Sequence, residues 1–102
     1  MSNEERSLKC EHLAFRFERA ADLDETRAAT FRGRAAQKSR EVEEHPEAPE
    51  LRALEVELMG VATYWDERAA WSREIAKRFS RMAESHRAIA SPGLLREKGQ
   101  AQ

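Results

Sequence analysis

The segment from Leu51 to Ala90, LRALEVELMGVATYWDERAAWSREIAKRFSRMAESHRAIA, is the most informative part of the sequence, and it contains no proline. Stepping through it by alternating intervals of three and four residues selects mostly apolar side chains. These positions are Leu51, Leu54, Leu58, Val61, Trp65, Arg68, Ser72, Ile75, Phe79, Met82, His86 and Ile89. Sustained spacing of this kind is typical of a long helix packed in coiled-coil fashion.

The N-terminal half carries a second helical pattern. Ser2 and Glu5 have the spacing of a helix-capping pair, and no proline follows before Pro46. On a helical projection, the apolar side chains that fall within one third of the circumference are Cys10, Leu13, Phe17, Ala20, Ala21, Ala28, Phe31, Ala35 and Val42. This row keeps its phase across Asp22 and Asp24, which predicts one helix over about residues 3–44. The alternative is a break near Asp22–Asp24, which would give a three-helix bundle.

The sequence His45-Pro46-Glu47-Ala48-Pro49 separates the two patterns. Two prolines three residues apart interrupt a helix, although Pro49 is tolerated in the first turn of the next one. A connection this short makes the helices antiparallel neighbours. We therefore predict a turn over 45–49, a helix over about 50–90, a single domain over 1–93 and a flexible tail over 94–102.

Composition narrows the class of protein. The chain has 102 residues, of which 36% are charged and 40% hydrophobic, and its formal net charge is −1. Such a polar composition suits helices that bury a single stripe. Cys10 is the lone cysteine, which excludes an internal disulfide and favours a reducing compartment. With neither an apolar leader nor a membrane span expected, the predicted location is the cytoplasm.

The predicted fold is all-α, a long antiparallel two-helix hairpin, and it leaves large apolar side chains uncovered. Those outside the seam are Tyr64, Trp71, Met82 and Ile89 on the second helix, with Leu8 and Phe15 on the first. A two-helix hairpin has no further layer to cover them, and such patches usually mark interfaces. We expect the hairpin to complete a four-helix bundle, either as a homodimer or by docking on a larger protein.

A polar layer is expected in the middle of the seam. Residues equidistant from the turn face each other, so Asp24 should lie near Arg68 and Ser72, with Arg27 beside it. A buried carboxylate needs a cationic partner, which predicts an Asp24–Arg68 pair. Its expected role is to fix the register of the helices, as polar core positions do in coiled coils, and the alternative is an anchor for a ligand.

Two further clusters suggest alternative functions. Cys10 and His86 should converge at the open end of the hairpin, where a homodimeric bundle would bring together ligands for a metal. No recognisable ligand spacing accompanies them, so neither a metal nor another cofactor is predicted. Arg27, Arg34 and Lys38 form a basic face that nucleic acid would favour, but the overall charge argues against that ligand.

Catalysis has little basis in this sequence. It contains no glycine-rich phosphate loop and no nucleophile and base at a suitable spacing. The chain is therefore not expected to be an enzyme. The leading hypothesis is a non-catalytic protein–protein interaction module, acting as an accessory subunit, adaptor or inhibitor of a larger assembly.

Overall fold

The computed structural model describes residues 1–90, which form two helices, α1 (Asn3–Glu44) and α2 (Pro49–Ala90). They pack as an antiparallel hairpin, which confirms the predicted fold class. Helix α1 is unbroken through Asp22 and Asp24, so the three-helix alternative is wrong. The hydroxyl of Thr26 donates to the Asp22 carbonyl at 3.0 Å, an i−4 contact that helical geometry permits. The predicted end of the domain at residue 93 and the predicted tail over 94–102 lie outside the described residues.

The helix ends follow from local chemistry. The Oγ of Ser2 accepts a hydrogen bond from the Glu5 amide at 3.1 Å, as an N-cap does. At the turn, the amide of His45 donates to the Glu41 carbonyl at 2.8 Å, and the amide of Ala48 donates to the His45 carbonyl at 3.1 Å. Helix α2 begins at Pro49. Proline is tolerated at this position because the amide groups of the first helical turn have no acceptor within the helix. Within the described residues, neither helix has an apolar stretch long enough to cross a bilayer.

Small side chains fill most of the buried positions in residues 1–90, and nine of them recur every seven residues. On α1 they are Ser7, Ala14, Ala21, Ala28 and Ala35, and on α2 they are Ala62, Ala69, Ala76 and Ala83. No large side chain in residues 1–90 is fully buried. Larger apolar groups such as Phe31 and Leu58 are half-buried beside these rows. Because a methyl group projects little, alanine rows allow two helix backbones to approach closely.

The hairpin divides into two compact units. The first joins Met1–Arg19 to the segment that begins at Ser72. Within it, the buried Ser7 hydroxyl donates to the Ala83 carbonyl at 2.9 Å, which links the two helices. The rings of Phe17 and Phe79 stack, with centroids 5.9 Å apart. The two helices of this unit are therefore joined by both a polar contact and an aromatic contact.

The second unit, Ala20–Trp71, contains the turn. Arg32 and Asp66 form an ion pair between its helices. The Arg27 guanidinium lies 4.8 Å from the centroid of the Trp65 ring, which joins the helices by a cation–π contact. Charged and aromatic side chains thus flank the alanine rows of this unit.

The helix-interior glycines provide a first prediction. A Cβ added at Gly33 or Gly60 meets no atom within 4 Å, and neither residue has a positive φ. We expect Gly60→Ala to raise the free energy of unfolding by about 0.5–1 kcal/mol, because alanine loses less backbone entropy in a helix. Urea denaturation followed by circular dichroism measures the change. Gly33→Ala should add a similar gain, and a loss at either position would show that its added methyl group is obstructed.

Candidate interaction surface

The six side chains predicted to bind a partner are all exposed. Their exposed fractions range from 46% at Met82 to 66% at Leu8, with Phe15, Tyr64, Trp71 and Ile89 between these values. They remain outside because alanines occupy the positions that face the opposite helix. Large apolar groups at the surface of a well-packed chain usually mark an interaction site.

The best-defined part of this surface lies on α2 in the second unit. Tyr64 and Trp71 are two turns apart, and Glu67 and Arg68 lie between them on the same face. Together the four side chains line a shallow, open depression. We call this depression the aromatic face. It combines two exposed rings with one side chain of each charge.

Interactions beneath the aromatic face hold its side chains in place. Arg68 donates from Nη1 to the Tyr64 hydroxyl at 3.3 Å, and its Nε lies 3.5 Å from Asp24 Oδ2. The hydrogen bond to Tyr64, followed by the electrostatic interactions with Tyr64 and with Asp24, raises the pKa of Arg68, so its guanidinium stays charged. The Tyr64 ring meets the Trp65 ring edge-on, with centroids 5.1 Å apart. The exposed ring is therefore connected to the core through Arg68.

Asp24 and Arg68 of the predicted polar layer approach each other in the second unit, and Ser72 belongs to the first unit. Asp24 and Ser72 are each only 3% exposed. The Asp24 carboxylate lies 3.0 Å from Arg27 and 3.5 Å from Arg68, as expected from the antiparallel register. Both arginine side chains are about half exposed, so Arg68 reaches the carboxylate from the surface rather than from within the core. Their stems can pack while their charges stay near water.

The first unit contains the remaining predicted partner-binding residues, Leu8, Phe15, Met82 and Ile89. The guanidinium of Arg19 lies 5.8 Å from the centroid of the Phe15 ring. Leu8 contributes to a shallow depression whose other lining residues are Glu4, Ser7, Glu11, Arg87 and Ala90. On this surface the exposed apolar groups lie beside charged side chains, with Arg19 at Phe15 and with Glu4, Glu11 and Arg87 around Leu8.

The two weak metal candidates are placed in the first unit. Cys10 is buried, and the Nδ1 atom of His86 is buried without a hydrogen-bond partner within residues 1–90. Among the described residues, no group of three or more histidine, cysteine, aspartate or glutamate side chains is arranged to hold a metal ion. The geometry therefore adds no further ligand to this pair.

The basic face makes internal contacts at each of its predicted residues. Arg27 pairs with Asp24, and Lys38 pairs with Glu41 at 2.9 Å. The Arg34 guanidinium lies 5.2 Å from the centroid of the Phe31 ring. A ligand phosphate would have to compete with these contacts, which reduces the charge that the face presents to nucleic acid.

Some exposed apolar groups were missed by the sequence reasoning. Leu23, Val56 and Met59 are exposed. A second apolar depression near the turn is lined by Val42, Pro46, Ala48, Pro49, Arg52, Ala53 and Val56. Placing the seven-residue alanine rows at the centre of the interface would have revealed these groups as surface residues.

Comparison of the chain with protein-family models, with curated proteins and with solved structures gives no match.

Proposed function

We propose that this chain is a non-catalytic interaction module of the cytoplasm, serving as an accessory subunit, adaptor or inhibitor in a larger assembly. The observation that carries this proposal is the aromatic face, where Tyr64 and Trp71 are 53% and 60% exposed at a spacing of two turns. Aromatic side chains are enriched at the centres of interfaces and often dominate their binding energy. The lone Cys10 supports a reducing compartment.

The energetics of the two rings favour burial by a partner. Covering the exposed half of a tyrosine or tryptophan removes roughly 100 Å² from water, which stabilises a complex by about 2–3 kcal/mol per ring. Folding of the hairpin alone does not bury the exposed parts of the two rings, because the rings point away from the alanine rows. Arg68 restricts the Tyr64 ring before binding, which reduces the entropy that association would otherwise lose.

The interior offers less support for chemistry. Within residues 1–90, its buried positions hold alanine, serine, the Cys10 thiol and the Asp24 carboxylate, which is already paired with Arg27 and Arg68. The cations of the basic face are likewise engaged by neighbouring side chains. The exposed side chains of the aromatic face are therefore better candidates for function than the buried residues or the basic face.

A photo-cross-linking experiment tests the proposal. Benzoylphenylalanine in place of Tyr64 keeps an aromatic ring in the aromatic face, and irradiation of host cells should attach the chain to a protein. The same residue at Ala29, which is exposed on α1, provides the matched control. We expect an adduct from position 64 and at least about tenfold less from position 29, since Ala29 lies outside the aromatic face.

Trp71→Ala, combined with the cross-linker at position 64, should reduce the adduct by about tenfold or more. An equal yield at positions 64 and 29, or a yield that does not depend on Trp71, would contradict a role for the aromatic face. Circular dichroism of each purified variant confirms that the helices are retained.

A further inference from the structure

The aromatic face has a symmetric order of side chains. Tyr64 and Trp71 are equally distant from the peptide bond between residues 67 and 68, and Glu67 and Arg68 flank that bond directly. The face therefore presents aromatic, acidic, basic and aromatic side chains in sequence. Turning a second copy end for end places a ring opposite each ring and an opposite charge opposite each charge.

We infer, building on the proposed function, that the partner of the aromatic face is a second copy of the chain. The two copies pack α2 against α2 in antiparallel orientation, with a two-fold axis at the bond between residues 67 and 68. Tyr64 then contacts the partner's Trp71, and Glu67 pairs with the partner's Arg68. Each contact occurs twice, because a two-fold interface uses the same surface of both copies.

The charges of the face are available for this pairing. Glu67 is exposed and has neither an ion pair nor a side-chain hydrogen bond within residues 1–90. Arg68 remains about half exposed although it contacts Asp24 and Tyr64. A guanidinium has five N–H donors, so these two contacts leave donors for a second carboxylate. The pair would be formed between surface groups that are already close to the rings.

Charge complementarity selects the antiparallel orientation. In a parallel two-fold pair, Glu67 would face the partner's Glu67, and Arg68 would face the partner's Arg68. Like charges in contact disfavour association, whereas the antiparallel pair brings opposite charges together at both sites. The order of residues 64–71 therefore specifies both the partner and its direction.

A charge-swap experiment tests this arrangement. Glu67→Arg and Arg68→Glu should each raise the homodimer Kd at least about tenfold, because every central contact then joins like charges. An equimolar mixture of the two variants should recover a heterodimer with a Kd within about threefold of the wild-type value, since both contacts regain opposite charges. Sedimentation equilibrium of the purified full chains measures these constants.

Cysteine cross-linking provides a second measurement, because Arg68→Glu places another carboxylate near Asp24 and can unfold the chain. Glu67→Cys lies beside the proposed axis and should form a disulfide-linked dimer under mild oxidation. Glu57→Cys lies about 16 Å along α2 from the axis, which separates it from the partner's residue 57 by about 32 Å in the antiparallel pair. It should therefore give at least about tenfold less linked dimer, whereas a parallel pair would link both variants.

The outcomes separate this inference from the proposed function. It is supported by a wild-type dimer, recovery in the charge-swapped mixture and selective linkage at position 67. A wild-type chain that stays monomeric at about 1 mM overturns it. If the cross-linker at position 64 then captures a different protein in cells, the proposed function stands. If it captures nothing, both proposals fail. A dimer that links equally at positions 57 and 67, or variants that dimerise as tightly as wild type, also overturns the antiparallel arrangement.

Discussion

Ala28→Leu should lower the free energy of unfolding by about 3 kcal/mol, whereas Ala29→Leu should change it by less than about 0.5 kcal/mol. Ala28 has no exposed surface and belongs to the buried seven-residue row of α1, while its neighbour Ala29 is exposed. The added carbons at position 28 must separate the helices or displace the neighbouring side chains. Leucine and alanine have similar helix propensities, so the difference between the two variants reports packing.

Urea denaturation monitored by circular dichroism measures both variants. Ala69→Leu and Ala70→Leu form a matched pair on α2, where the first position is 2% exposed and the second is exposed. The same contrast is expected there. If leucine at position 28 or 69 is as well tolerated as at position 29 or 70, the alanine rows do not form the close contact between the helices.

The hairpin itself could be predicted from the sequence because its determinants are local. Pro46 and Pro49 mark the turn, and the apolar row of the first half keeps its phase across Asp22 and Asp24. Helix α1 spans Asn3–Glu44 and helix α2 begins at Pro49, so the turn lies where the two prolines mark it. The antiparallel register then placed Asp24 near Arg68, as the 3.5 Å contact shows.

The identity of the most buried row was harder to predict. Ranking positions by hydrophobicity favours large side chains at the centre of a seam, so the stripe on α2 included Leu54. This residue is exposed, because the helices use alanine where they face each other. Alanine contributes little to a hydrophobic pattern, although its strict seven-residue recurrence was present in the sequence.

The sequence predicted that Tyr64 and Trp71 bind a partner, but it did not predict how they and their charged neighbours are arranged on the aromatic face. Tyr64 and Trp71 were expected at the surface because the seam did not need them. The symmetric order around residues 67 and 68 matters for binding only because Glu67 is exposed and Arg68 stays about half exposed despite its contacts with Asp24 and Tyr64. The contacts and exposure of the side chains decide that, and a helical projection does not show them.

Removing both cations from Asp24 should destabilise the hairpin even more than overpacking its alanine rows. We expect Arg27→Met combined with Arg68→Met to lower the free energy of unfolding by about 3–5 kcal/mol at neutral pH. The Asp24 carboxylate is 3% exposed, and these two guanidiniums are its ion-pair partners within the described residues. Methionine retains helix propensity and much of the apolar stem, so the principal loss is electrostatic.

Asp24→Leu in the same background should recover most of the lost stability, because it removes the unpaired buried charge. Asp24→Leu alone should be close to neutral, since the half-exposed arginines can return to water. Denaturation at protein concentrations that keep the chain monomeric separates this effect from association. A double variant with wild-type stability would show that water replaces both arginines at Asp24, and that the polar layer contributes little to holding the helices together.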